Sequence, residues 1–191
     1  MQRVRVLVPG SIGNVGPGLD ILGLALRGAA DVLTAERRDD RRIVVVDAGA
    51  PNLPTDPDRH TSALAARAAL KAGGRSGRLG ISLRLRKGLP LSGGQGGSAA
   101  SAVAANALMG SPLSTVQLLA AALEAEAVVA GRHLDNIAPS LMGGLVLVRG
   151  LDPIDVIRLP LPRGLLIVLT KPRYEMATRR ARKALPRAVP R

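Results

Sequence analysis

The sequence predicts an α+β fold, a two-layer sandwich, from three observations. Three stretches alternate apolar and polar residues with period two, three further short runs are rich in Val, Ile and Leu, and three helical segments fall among them. The order is strands, helix, strand, helix, helix, strands, which does not match the strict alternation of a doubly wound parallel sheet.

In chain order, "RVRVLVP" (3–9) and "VLTAERR" (32–38) have the alternation of half-buried strands, and "RIVVVDA" (42–48) is an apolar strand run. Between the last two, "ERRDDRR" (36–42) carries both signs of charge and suits the solvated tip of a hairpin. A helix is expected from about Arg59 to Ala72, closed by Gly73 and Gly74. The alternating "GISLRLRKG" (80–88) gives the next strand, and a helix follows from Ser98 to Gly110. A third helix opens at Ser114, where Ser-x-x-Gln with Gln117 has the form of a capping box, and Gly131 can take the left-handed stop position. "GGLVLVRG" (143–150) and "GLLIVLTKP" (164–172) complete the strands, with a short helix at 176–185.

With 191 residues and 47% hydrophobic content, the chain is one domain, or one domain and part of another, with ample material for a core. The absence of cysteine excludes a disulfide scaffold, a thiol nucleophile and a thiolate metal site, and two histidines argue against a zinc enzyme. The first residues lack the apolar core of a signal peptide, and no run approaches the roughly 20 apolar residues of a spanning helix. A soluble cytoplasmic protein without a membrane partner is expected. A net charge of +13 suggests an anionic partner, although much of the excess lies at 179–191 and aromatics for base stacking are almost absent. Nucleic acid is therefore the disfavoured partner.

The segment "PLSGGQGGSAAS" is the chemically informative one. It places Gly93, Gly94, Gly96 and Gly97 between a strand and the start of a helix, where unpaired N–H groups and the positive end of the helix dipole face outward. Residues without Cβ let phosphate oxygens approach those donors, and Ser98 and Ser101 in the first turn add hydroxyls suited to Mg²⁺. A ligand-free glycine turn accounts for the cluster equally well when it is taken alone, and the pattern is neither a Walker A loop nor a dinucleotide fingerprint. Two further segments, "PGSIGNVGPGLDILGLAL" (9–26) and "HLDNIAPSLMGGLVLV" (133–148), hold Asn14, Asp20, His133, Asp135 and Asn136 on otherwise apolar loops. Each could be a plain turn. Together they offer the polar groups that phosphoryl transfer requires.

These three segments resemble, in order and at fitting separations, motifs of the homoserine kinases, a branch of the GHMP small-molecule kinases, and the resemblance continues through "TRRARKALPRAVP" (178–190). It implies the N-terminal domain fold of that superfamily, a ribosomal-protein-like left-handed βαβ sandwich at 1–160, with 161–191 beginning a second, ferredoxin-like domain. It also implies transfer of the ATP γ-phosphate to the side-chain hydroxyl of L-homoserine, a step in threonine synthesis. By the same resemblance Pro90, Leu91, Ser92, Gly93, Gly94, Gln95, Gly96, Gly97, Ser98, Ala99 and Ala100 cradle ATP, and Ser98 and Glu126 hold Mg²⁺. Asn14, Asp20, Asn136, Thr178 and Arg182 line the amino-acid pocket, with Asn136, Glu126 and Arg182 closest to the chemistry. Asp20 would pair with the substrate ammonium and Arg182 with a carboxylate or phosphate. The family is thought to lack a carboxylate base at the hydroxyl, so positioning and charge neutralisation carry the rate.

The sequence departs from the family pattern at several places. The family's phosphate loop ends Gly-Ser-Ser, whereas Gly97 here precedes Ser98. His60 stands where an Asn near the adenine is usual, and Leu19 and Leu145 stand where Phe is common. Family members continue for roughly another hundred residues, a domain-sized length. A truncated chain, half of a split protein with a complementing C-terminal chain, a homodimer and a degenerate copy with little activity are the expectations this raises. A non-catalytic RNA-binding module on the same fold and a kinase for another small alcohol are the competing functions.

Overall fold

The computed structural model describes residues 1–88, 97–129, 131–168, 170 and 186. The elements among them are β1 (Arg3–Ile12), β2 (Leu22–Arg38), β3 (Ile43–Asp47), α1 (Thr61–Ala72), β4 (Gly80–Arg86), α2 (Gly97–Leu108), α3 (Thr115–Val129), α4 (Ile137–Met142), β5 (Leu145–Leu151) and β6 (Ile154–Leu159). They form the expected mixed sandwich. One sheet runs β3-β4-β2-β5-β6, with β1 paired to β2. Every pair is antiparallel except β3 with β4, which are parallel and joined through α1.

Period two decides which strand residues face the helices. Val8, Leu33, Ala35, Val45, Ile81, Leu83 and Leu85 point inward and meet α1, α2 and α3 in one core, while Leu7 and Val46 lie outward and exposed. The chain has no Phe or Trp. Its helices instead present alanines, among them Ala63, Ala66 and Ala69 of α1 and Ala102, Ala104 and Ala105 of α2. Small side chains bring helix axes close, and close packing takes the place of bulky core residues. A second core joins Ala99, Leu119, Leu123, Leu134, Ile137, Val146 and Val148 beneath β5. Helix α2 takes part in both, so it is buried on nearly every side and needs no polar face.

Local signals set the helix ends as anticipated. Ser114 and Gln117 exchange the reciprocal capping bonds, Ser114 N–H donating to Gln117 Oε1 at 2.8 Å and Gln117 N–H to Ser114 Oγ at 3.3 Å. Gly74 (φ 65) and Gly131 (φ 118) take the left-handed stop positions. The first helix is capped by His60, one residue beyond the expected Arg59 start, and α2 begins at Gly97 rather than Ser98.

Four expectations need correction. Residues 36–42 are not a hairpin tip, because β4 lies between β2 and β3; the connection crosses from one side of β4 to the other. The mixed charges there are solvated, with Arg38 and Arg42 both paired to Asp40. Strand β2 starts at Leu22, ten residues before the expected 32, so the end of the glycine-rich 9–26 segment is sheet. The apolar run at 164–170 forms no strand among its described residues, where Leu166 and Val168 are 90% and 87% exposed. Finally, α4 and β6 had no counterpart in the sequence reading. The helix expected at 176–185 lies outside the described residues.

Candidate active site

The turn after β1 is shaped by two residues that tolerate left-handed backbone, Asn14 (φ 54) and Asp20 (φ 62). Asn14 Oδ1 accepts the Asp20 N–H at 2.8 Å, which ties the two ends of the turn together. The turn then docks on the start of α4. Asn14 N–H donates to Asp135 Oδ2 at 3.1 Å, and Ser11 Oγ donates to the Asn136 carbonyl at 3.0 Å, with Asn136 Oδ1 3.1 Å away. His133 Nδ1 lies 3.1 Å from Asp20 Oδ1. Asn14 and Asp20, six residues apart, and Asn136, more than a hundred positions on, are thus gathered in one cluster through Ser11 and Asp135.

Asp135, which the sequence places only among the polar groups suited to phosphoryl transfer, is the pivot of that cluster. It is 1% exposed. Two glycines make room for it: a Cβ at Gly13 would lie 2.1 Å from Asp135 Oδ2, and one at Gly23 would lie 1.8 Å from the Asp135 carbonyl oxygen. Burial pushes the Asp135 carboxyl above its usual range, the charge of Asp20 acts in the same direction, and the Asn14 N–H opposes both. Glu126 of α3 is also raised, by burial first and by the Asp135 charge second. The acidic groups of α3, the β1–β2 turn and the α4 start therefore share one field. Glu124, by contrast, is exposed on the same helix.

At the start of α2, Gly97, Ser98, Ala99 and Ala100 are helical and buried. The side chains of Ala99 and Ala100 belong to the two cores, so only their backbone could serve a ligand. Among the described residues, Ser98 Oγ is buried without a hydrogen-bond partner, as is Ser101 Oγ one turn on. A hard hydroxyl oxygen of this kind suits Mg²⁺, which keeps several waters and takes few protein oxygens. The described residues hold no cluster of three or more His, Cys, Asp or Glu that could bind a metal by itself. Pro90 to Gly96, Thr178 and Arg182 lie outside the described residues.

The strand leading towards the glycine segment is anchored by a pair that sequence reasoning missed. Lys87 Nζ bonds Asp31 Oδ2, with side chains 9% and 2% exposed, and Gly88 N–H donates to Asp31 Oδ1 at 3.0 Å. His60 lies nearby, 4% exposed, its Nδ1 accepting the Ser62 N–H at 3.2 Å as the cap of α1. Burial holds the His60 imidazole below its usual range, helped by the Lys87 charge and opposed by a hydrogen bond with the Ala48 backbone. In this structure His60 acts as a buried cap.

Residues 61–144, from the start of α1 to the turn before β5, match the family described as GHMP kinases N terminal domain. Over that segment the chain is similar to the N-terminal domain of the GHMP kinases. Among its curated relatives are the homoserine kinases of Arabidopsis thaliana, 41% identical over 98% of this chain and 53% of the relative, and of Methanopyrus kandleri, 42% identical over 97% and 61%. The crystal structure of homoserine kinase from Cytophaga hutchinsonii superposes with a TM-score of 0.84 at 33% identity, covering all of this chain and 62% of that one. Methanococcus jannaschii mevalonate kinase shares the fold, with a TM-score of 0.60 at 11% identity. The chain spans between about half and two thirds of the length of these relatives. No helix among its described residues is long and apolar enough to cross a membrane.

Proposed function

We propose that this chain supplies the nucleotide-binding and most of the acceptor-binding machinery of a cytoplasmic homoserine kinase, with residues 1–160 as the ATP-binding domain and 161–191 as the beginning of a second. The observation that carries the reading is the convergence of Asn14, Asp20 and Asn136 around buried Asp135, within the field of Glu126. Asp20 offers a carboxylate for the acceptor's ammonium, and its present neighbour His133 keeps it oriented. Asn14 and Asn136 bring amide groups that can bind and orient a hydroxyl. The Asn14 N–H holds Asp135 in place, and this supports Asp135 as a fixed part of the wall and not as a mobile base. Such a site works by orientation and charge placement, which phosphoryl transfer permits.

The residues 90–100, following the anchored end of β4 and running into α2, would hold the ATP phosphates against free helix N–H groups. Ser98 and Glu126 would hold Mg²⁺, and the ion when bound neutralises charge on the phosphates. Thr178 and Arg182 would complete the acceptor pocket.

Calorimetry with Mg·ATP and with L-homoserine tests binding by this chain, and coupled detection of ADP with and without L-homoserine tests transfer. The expected result is binding of both ligands, with weak ADP release by the 191-residue chain and strong release once the remaining C-terminal portion of a homoserine kinase relative is appended. Nucleotide binding without any response to L-homoserine in the extended chain would move the reading to another small alcohol. RNA binding at physiological salt that ATP does not displace would replace it with the basic binding module suggested by the +13 charge.

A further inference from the structure

The first residue of α2 has no side chain, and a side chain from another helix occupies the space. A Cβ built on Gly97 would lie 3.1 Å from Ser62 Oγ and 3.6 Å from Leu85 Cδ2. Ser62 is fully buried on the first turn of α1, and its Oγ donates to the Gly97 carbonyl at 3.3 Å. Its backbone N–H is in turn taken by His60 Nδ1. The Gly97 carbonyl and the Ser98 N–H belong to one planar trans peptide, so they point in opposite directions and a bond that orients one orients the other. Ser98 N–H is one of the helix N-terminal donors with no intrahelical acceptor.

We propose that Ser62 is a positioning residue for nucleotide phosphates: its hydroxyl, set by the His60 cap, fixes the Gly97–Ser98 peptide and so aims the Ser98 N–H out of the start of α2. This rests on the nucleotide reading of that helix start. A hydroxyl reaching in from α1 takes the space that a side chain at position 97 would need. A serine at 97 would crowd Ser62 Oγ, since 3.1 Å is tighter than ordinary contact and both groups are enclosed.

The test is a double-mutant cycle in the 191-residue chain, with Ser62→Ala, Gly97→Ser and both together. Mg·ATP affinity is measured by calorimetry, the Ser98 amide shift by ¹⁵N NMR without ligand, and Tm by circular dichroism. Ser62→Ala should weaken Mg·ATP roughly three- to tenfold and move the Ser98 amide resonance. Gly97→Ser should also weaken it, and the double variant should bind at least about threefold better than additivity of the two allows. A purely structural Ser62 would lower Tm and leave affinity and the Ser98 resonance unchanged. That outcome, or additive effects in the cycle, overturns the inference while leaving the nucleotide site standing. Failure of the unsubstituted chain to bind Mg·ATP overturns the nucleotide reading and this inference with it.

Discussion

Replacing Gly13 by alanine should damage both the stability of the fold and the cluster of Asn14, Asp20 and Asn136, through contact alone. Gly13 does not have a positive φ, so alanine there meets no backbone penalty. Its Cβ would stand 2.1 Å from Asp135 Oδ2 and 2.6 Å from Asn136 Nδ2. Ordinary contact begins at 3.4 Å, which leaves the Asp135 oxygen 1.3 Å too close. Asp135 has little room to retreat, because its carbonyl lies flush against Gly23 and its neighbours Leu134 and Ile137 are 0% and 1% exposed. Overpacking of this kind costs about 1–3 kcal/mol. Loss of the Asn14 N–H bond to a buried carboxylate adds about 1–3 kcal/mol. For a chain of this size the combined effect corresponds to a Tm lower by roughly 5–20 °C. In the extended enzyme, a displacement near 1 Å at Asn136 should cut homoserine-dependent ADP release on the order of a hundredfold. Thermal melts of Gly13→Ala beside Gly16→Ala provide the comparison. Gly16 has φ +57 and open space around its Cβ, so alanine there costs backbone strain of about 1–2 kcal/mol without a clash. A Gly13→Ala melt within about 2 °C of the unsubstituted chain would refute the reasoning, since a cradle that tolerates a methyl group is no cradle.

Further outcomes are expected from four other substitutions. Glu126→Gln should raise Tm relative to the unsubstituted chain at pH 7 more than at pH 4: an acid whose folded-state pKa is raised loses stability as pH climbs from its unfolded pKa through the folded one, and the amide does not. The same variant should weaken the Mg²⁺ dependence of ATP binding. Asp31→Asn leaves Lys87 charged and buried, so urea denaturation should show a loss of about 3–5 kcal/mol, whereas Arg132→Ala, which removes an exposed pair with Asp152, should cost below about 1 kcal/mol. Ser114→Ala removes one half of the capping box and should lower stability by about 1 kcal/mol in the same titration.

The sequence was most legible where structure is local. The Ser114 and Gln117 box, the glycine stops and the strand alternation depend on neighbours within one turn or one pleat, and all appear where expected. The first ten residues of β2 were obscured because Leu22, Gly23 and Leu24 pair with Leu147, Val146 and Leu145, more than a hundred positions away, and Leu24 and Ala25 pair with Ile12 and Ser11 across an irregular turn. Helix α4 is six residues long with Pro139 in its first turn, a position proline accepts but one that reads as a break. The run at 164–170 failed for the opposite reason: apolar composition favours a strand, yet a strand exists only beside another. At the site, Asn14, Asp20 and Asn136 were recognisable from motif resemblance, and the structure brings them together. Asp31 and Ser62 were not, since each acts on a partner 56 or 35 positions distant and neither residue type announces it.

Strand β2 also fixes a length. Its register with β1 jumps from Ala25 opposite Ser11 to Ala30 opposite Pro9, so residues 26–29 bow out of the ladder, with Gly28 at φ 102. On one side of that excursion Gly23 touches Asp135; on the other Asp31 grips Lys87. The spacing between the Asp135 cluster and the Lys87 anchor is therefore stored as a number of residues, separate from the side chains at either end. Deleting one of the four would either draw that excursion tight against β1 or slide one half past the other by about 3.3 Å, a whole strand step. For a reaction that joins two molecules, gauge of this kind can be altered by insertion or deletion while every side chain that grips a ligand stays the same.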